Sequence, residues 1–98
     1  MRNQKRTKMG KVELIKREEG YMGEYLIFRE YPQYDGSVLW VIENKNPELI
    51  GHLEKLRIGA WMSWCLTLEE GCYLSAGCQD EVREMTKILN SQKDGDKN

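Results

Sequence analysis

Asn46 to Gly59 reads NPELIGHLEKLRIG, and the reading of this stretch decides the architecture. Asn46 can cap the free amide hydrogens of a helix, and Pro47 suits the first helical position, where an N–H would have no partner. Leu49, Ile50, Leu53 and Leu56 follow at helical spacing, and Gly59 is placed to end the run. The stretch therefore predicts a first helix that separates two groups of strands.

Working back from it, Glu24 to Tyr31 (EYLIFREY) and Ser37 to Glu43 (SVLWVIE) are rich in aromatic and branched residues, as strands are. Asp35-Gly36 between them signals a hairpin, because glycine accepts the positive φ that a tight connection needs. With Tyr34-Asp35-Gly36 as a three-residue loop, Phe28 falls opposite Ile42 and Glu30 opposite Trp40. One face then carries Leu26, Phe28, Val38, Trp40 and Ile42. The other carries Tyr25, Ile27, Arg29, Tyr31, Leu39 and Val41, and is too apolar for plain surface. Val12 to Arg17 (VELIKR) predicts an earlier strand, with Glu18-Glu19-Gly20 as a turn.

Working forward, Gly59 to Met85 holds two of the three tryptophans and all three cysteines. Trp61 to Leu68 and Cys72 to Ser75 are expected to form a hairpin around Glu69-Glu70-Gly71, pairing Leu68 with Cys72 and Leu66 with Leu74. Met62, Trp64, Leu66 and Leu68 share one apolar face in that register. A last helix is expected from about Gln79 to Asn90, with Val82, Met85, Ile88 and Leu89 facing in. The order is β-β-β-α-β-β-α, an α+β domain with an antiparallel sheet of about five strands and two helices.

His52, Cys65, Cys72 and Cys78 raise a zinc site, since zinc accepts three thiolates and an imidazole. The spacing His-x12-Cys-x6-Cys-x5-Cys lacks a Cys-x2-Cys knuckle. In the expected hairpin Cys65 and Cys72 also point to opposite faces. One turn before the last helix, Cys78 stands over Val82, so the cysteines read as small buried hydrophobes. Cysteine catalysis would need a thiolate beside a base, but the single histidine reads as a boundary residue near Glu48. No phosphate loop, G-x-S-x-G or H-E-x-x-H occurs. Glu69-Glu70 falls in a turn, and Asp80, Glu81 and Glu84 suit a helix N-terminus. The expectation is a non-enzyme without cofactor or metal.

Arg2, Lys5, Arg6, Lys8 and Lys11 put five positive charges on residues 1–11, leaving ten basic and sixteen acidic residues in 12–98. Residues 1–11 read as a disordered basic arm and 91–98 as a disordered polar tail, around a single domain at 12–90. The arm, with the Tyr25/Arg29/Tyr31 face, supports nucleic-acid binding as the alternative reading, against which the acidic body repels phosphate. No apolar run approaches the roughly 20 residues that span a bilayer. Without a leading hydrophobic segment, the chain is expected in the cytoplasm, its odd number of thiols reduced.

Three tryptophans and five tyrosines are many for 98 residues, and Trp, Tyr and Arg dominate interface energetics. Tyr25, Arg29, Tyr31 and Trp61 are the candidate contacts for a protein partner or a homodimer. A small protein-binding module is the expected function, accessory or regulatory in kind. Such chains are frequent among phages and mobile elements.

Overall fold

The computed structural model describes residues 12–92. Six strands follow one another in sequence and in space: β1 (Ile15–Arg17), β2 (Gly20–Met22), β3 (Leu26–Pro32), β4 (Val38–Asn44), β5 (Leu49–Ile58) and β6 (Trp61–Leu68). Every neighbouring pair is antiparallel, and the sheet is a plain meander in the order β1-β2-β3-β4-β5-β6. One helix, α1 (Ala76–Ser91), closes the described chain. The class is α+β, with six strands and one helix in place of five and two.

The β3–β4 hairpin forms in the expected register, Phe28 opposite Ile42 and Glu30 opposite Trp40. Gln33 N–H donates to the Ser37 carbonyl at 2.8 Å, closing a loop over Tyr34-Asp35-Gly36. The Asp35 carboxylate braces that loop by accepting from the Ser37 amide at 3.0 Å and its hydroxyl at 2.6 Å.

The expected first helix is instead β5. Asn44, rather than Asn46, organises its start: Asn44 Oδ1 accepts from the amides of Asn46 at 2.9 Å and Glu48 at 3.0 Å. Asn44 N–H also donates to the Glu48 carbonyl at 3.1 Å, so Pro47 sits in a tight turn between strands. A helix here would carry Gly51 in its interior, at about 1 kcal/mol relative to Ala. As a strand, Gly51 to Glu54 pair with β4 on one side and β6 on the other, so their backbone groups are satisfied. Ile42 pairs with Gly51 and Glu43 with Leu49. Ile50 is thus left as the extra residue of a bulge, and it packs against the core.

Gly59 marks a boundary, though a different one. It has φ +61 and, with Ala60, makes the two-residue loop joining Ile58 to Trp61, where a positive φ suits the twist of the flanking strands. β6 consequently pairs with β5, and the expected pairing of Leu68 with Cys72 and Leu66 with Leu74 does not occur. Cys72 to Ser75 form no strand; Cys72 N–H turns back to the Glu69 carbonyl. At the other end, β2 occupies residues read as turn and connection, because Glu18-Glu19 alone suffice to link Arg17 to Gly20.

α1 begins three residues before its expected start. Ser75 caps it, its hydroxyl accepting from the Cys78 amide at 3.3 Å, and it runs through Ser91, the expected start of the tail. Val82, Met85 and Leu89 are buried against Leu26, Phe28, Trp40, Ile42 and Leu53, with Ile88 and Cys78 at the margin. The core therefore lies between α1 and one face of β3–β5.

Candidate interaction surface

Strand alternation and the observed register place every side chain on one of two faces. Phe28, Trp40 and Leu53 point to α1. On the opposite face stand Ile27, Arg29 and Tyr31 of β3, Leu39, Val41 and Glu43 of β4, and His52, Glu54, Leu56 and Ile58 of β5. Trp61, Ser63, Cys65 and Thr67 of β6 extend it at one edge, and Gly20, Met22, Ile15 and Arg17 of β2 and β1 at the other. No described element crosses that face. Tyr31, Leu56, Ile58 and Trp61 are all exposed, Trp61 by 69%.

Arg29 is the cationic centre of this face, and its charge is already answered. Its Nε donates to Glu43 at 3.2 Å and its Nη1 to Glu19 at 2.9 Å. The hydrogen bond that Arg29 donates to Glu43 first, then the charge of Glu43 and of Glu19, raise the guanidinium above its ordinary pKa. A phosphate would have to displace these two carboxylates. A shallow hollow of about 350 Å³ beside them is lined by Arg17, Glu19, Met22, Ile27 and Arg29, among others.

Pairing between β4 and β5 ends at Leu39 and Glu54, whereas β5 and β6 stay paired to Ile58 and Trp61. The β5–β6 hairpin thus runs past the sheet as a two-stranded ribbon. One side of it shows Leu56, Ile58 and Trp61, all exposed; the other shows Lys55, Arg57, Met62 and Trp64. Leu56, expected inside a helix, lies in the open for this reason. Lys55 Nζ sits 5.9 Å from the centre of the Trp64 ring, a distance at which ammonium and aromatic face attract.

Of the residues singled out from sequence, Arg29, Tyr31 and Trp61 lie on the uncovered face. Tyr25 does not. It precedes β3, and its ring lies against Gly77 in the first turn of α1, so closely that a Cβ at Gly77 would strike it. The reason is Glu81, which sequence reasoning placed in a favourable helix N-terminus and the fold uses otherwise. Only 3% exposed, its carboxylate accepts amide hydrogens from Glu24 at 2.7 Å, Tyr25 at 3.0 Å and Leu26 at 2.9 Å. This draws the β2–β3 turn onto the helix. Gly23 allows the approach, since a Cβ there would overlap the carboxylate. With three donors on two oxygens, Glu81 is engaged as a structural acceptor.

The thiols and the histidine are spread out. His52 and Cys65 stand on the uncovered face, Cys72 in the loop after β6 with its Sγ 3.8 Å from the Leu49 carbonyl, and Cys78 on α1 beside the core. Among the described residues no three His, Cys, Asp or Glu side chains are grouped to hold a metal ion. His52 Nε2 lies 3.6 Å from Glu54, its neighbour on β5 instead of the expected Glu48. The Cys65 thiol meets the Ser63 carbonyl at 3.6 Å. Thiol and imidazole thus each engage another group of the same face. Arg2, Lys5, Arg6, Lys8 and Lys11 lie outside the described residues, and no described helix is long and apolar enough to cross a membrane.

Comparison with protein-family models, with curated proteins and with solved structures finds no match for this chain.

Proposed function

We propose that this chain is a protein-binding module, accessory or regulatory in role, that presents the uncovered face of its sheet and the ribbon at its end to a protein partner. The observation that carries the reading is the run of exposed apolar and aromatic side chains, Tyr31, Leu56, Ile58 and Trp61, on the face that no described element covers. Exposed aromatic anchors beside an oriented arginine are what protein interfaces are built around. Arg29, fixed by Glu43 and Glu19, would supply a pre-set polar contact at the centre of that face. Binding, rather than catalysis, fits side chains whose polar groups are satisfied by one another. All three cysteines are free thiols, in keeping with work in a reducing compartment such as the cytoplasm.

The test is site-specific photo-crosslinking in cells that make the chain. A photoreactive residue at Tyr31 or Trp61 should give one discrete protein adduct. The same residue at Arg83, exposed on α1, should give none. Adducts abolished by nuclease would move the chain to the nucleic-acid reading, and adducts formed equally at Arg83 would remove the face from consideration.

A further inference from the structure

The two edges of the sheet differ in kind. β1 is three residues long and carries Lys16 and Arg17. Short, charged edges of this sort discourage pairing with other strands. β6 is eight residues long, WMSWCLTL, without a charge, a proline or a glycine. Glu69 N–H donates to the Ile50 carbonyl at 2.8 Å. With Gly51 opposite Leu68, hydrogen-bonded pairs with β5 must recur at Thr67, Cys65, Ser63 and Trp61. The backbone groups of Met62, Trp64, Leu66 and Leu68 therefore point away from β5, and no described residue pairs with them.

We propose that β6 pairs antiparallel with β6 of a second copy of this chain, about a two-fold axis at Cys65, joining the two sheets into one. In that register Met62 faces Leu68 of the second copy and Trp64 faces Leu66, and the reciprocal pairs follow by symmetry. All four outward residues find partners, whereas sliding by two residues in either direction leaves one of them facing a turn. On the side that carries α1 every cross-strand pair is apolar, and it covers Met62 and Leu66, which are 49% and 38% exposed in the single chain. On the other side Ser63 meets Thr67, Trp61 meets Glu69, and Cys65 meets its own copy. No like charges stand opposite one another, so the strand is complementary to itself. The need is real for a chain this small, since a domain of about 80 residues buries only about 60–65% of its surface. The proposal stands on the backbone of the edge and does not depend on what binds the uncovered face.

The register makes Cys65 its own reporter. Opposed residues in a non-hydrogen-bonded antiparallel pair have Cα atoms about 4.5 Å apart, within the span of a disulfide. The full chain carrying Cys72→Ser and Cys78→Ser should be a dimer by light scattering. Copper–phenanthroline should convert it to a covalent dimer that a reductant reverses. With Cys65→Ser and Thr67→Cys added, the thiols of the two copies are offset by four residues, and the covalent dimer should be lost while the non-covalent one persists. Leu66→Pro removes an N–H that points outward, leaves the bonds to β5 intact, and should give a folded monomer. A chain that stays monomeric as concentration is raised overturns the proposal. So does a dimer that crosslinks equally through residues 65 and 67, or not at all through Cys65. Should Leu66→Pro fail to fold, the two crosslinking arms still decide.

Discussion

The two faces of the sheet grow from the same alternating strands and meet opposite fates. Towards α1, Leu26, Phe28, Trp40, Ile42 and Leu53 are sealed by Val82, Met85 and Leu89. Across the sheet, Ile27, Leu39 and Val41 are only half-buried, and Tyr31, Leu56, Ile58 and Trp61 are exposed. The presence of large apolar side chains does not distinguish the faces, because both carry them, the second interspersed with Arg29, Glu43, His52 and Glu54. What separates them is one helix, pinned where it is by the carboxylate of Glu81. An apolar face left over after the helix is seated is the kind of surface that marks an interaction site.

The covered side is the more sensitive to substitution. Trp40→Ala or Phe28→Ala should cost about 3–5 kcal/mol, enough to unfold much of the population of so small a domain; urea titration followed by circular dichroism measures it. Next comes the pin. Glu81→Ala leaves three amides of the β2–β3 turn without their acceptor, of which only that of Leu26 is buried, and should cost about 1–3 kcal/mol, the range for one buried group left unmet. Glu81→Gln, which keeps one acceptor oxygen but aims an amide donor at donors, should lie between it and the wild type. If Glu81→Ala were neutral by the same titration, the helix would be held by packing alone.

A smaller effect is expected where the turn before β5 is organised. Asn44→Ala removes the side-chain bonds to Asn46 and Glu48 and should cost about 1–2 kcal/mol, in the range of lost capping residues. The smallest lies off both faces. Ser37 holds the Asp35 carboxyl below its usual range, chiefly through the bond from its hydroxyl. A depressed folded pKa contributes stability that is present above the unfolded value and is lost as pH falls through the folded one. Ser37→Ala should therefore raise the Asp35 titration seen by NMR and slightly lower stability at neutral pH, a difference from the wild type that vanishes as pH falls through the folded pKa.

The parts of this fold that were legible are those where local pattern and burial agree. The β3–β4 hairpin combines a turn glycine with alternation that the core enforces, and α1 shows Val82, Met85, Ile88 and Leu89 at helical spacing. β5 was illegible for a physical reason. Only Gly51 and Leu53 of its ten residues are buried, so the two-residue period has almost no amplitude. Leu49, Ile50, Leu53 and Leu56 meanwhile fall by chance at helical intervals. Gly59 stops a helix or turns a hairpin equally well, and nothing local tells which. β2 is too short to show a period.

The candidate surface divides the same way. Arg29 and Tyr31 follow from the hairpin register, whereas Trp61 was reached only through its residue type, because the turn before it read as the end of a helix. Tyr25 leaves that face, though it stays 47% exposed beside the helix, because Glu81 reaches across more than fifty residues to the turn that carries it, and a contact of that span leaves no local mark. Its only trace is the pair of glycines, Gly23 and Gly77, whose missing side chains make room.

The contrast between the faces rests most directly on the unfolding free energy of Tyr31→Ser/Trp61→Ser, measured beside Trp40→Ala at a concentration where the chain is monomeric. Both replaced side chains are exposed on the uncovered face, so the double variant should stay within about 1 kcal/mol of the wild type, near the small range of surface substitutions. Trp40→Ala should lose about 3–5 kcal/mol in the same experiment. A double variant as unstable as Trp40→Ala would mean that the second face is covered within the single chain, and would contradict the account.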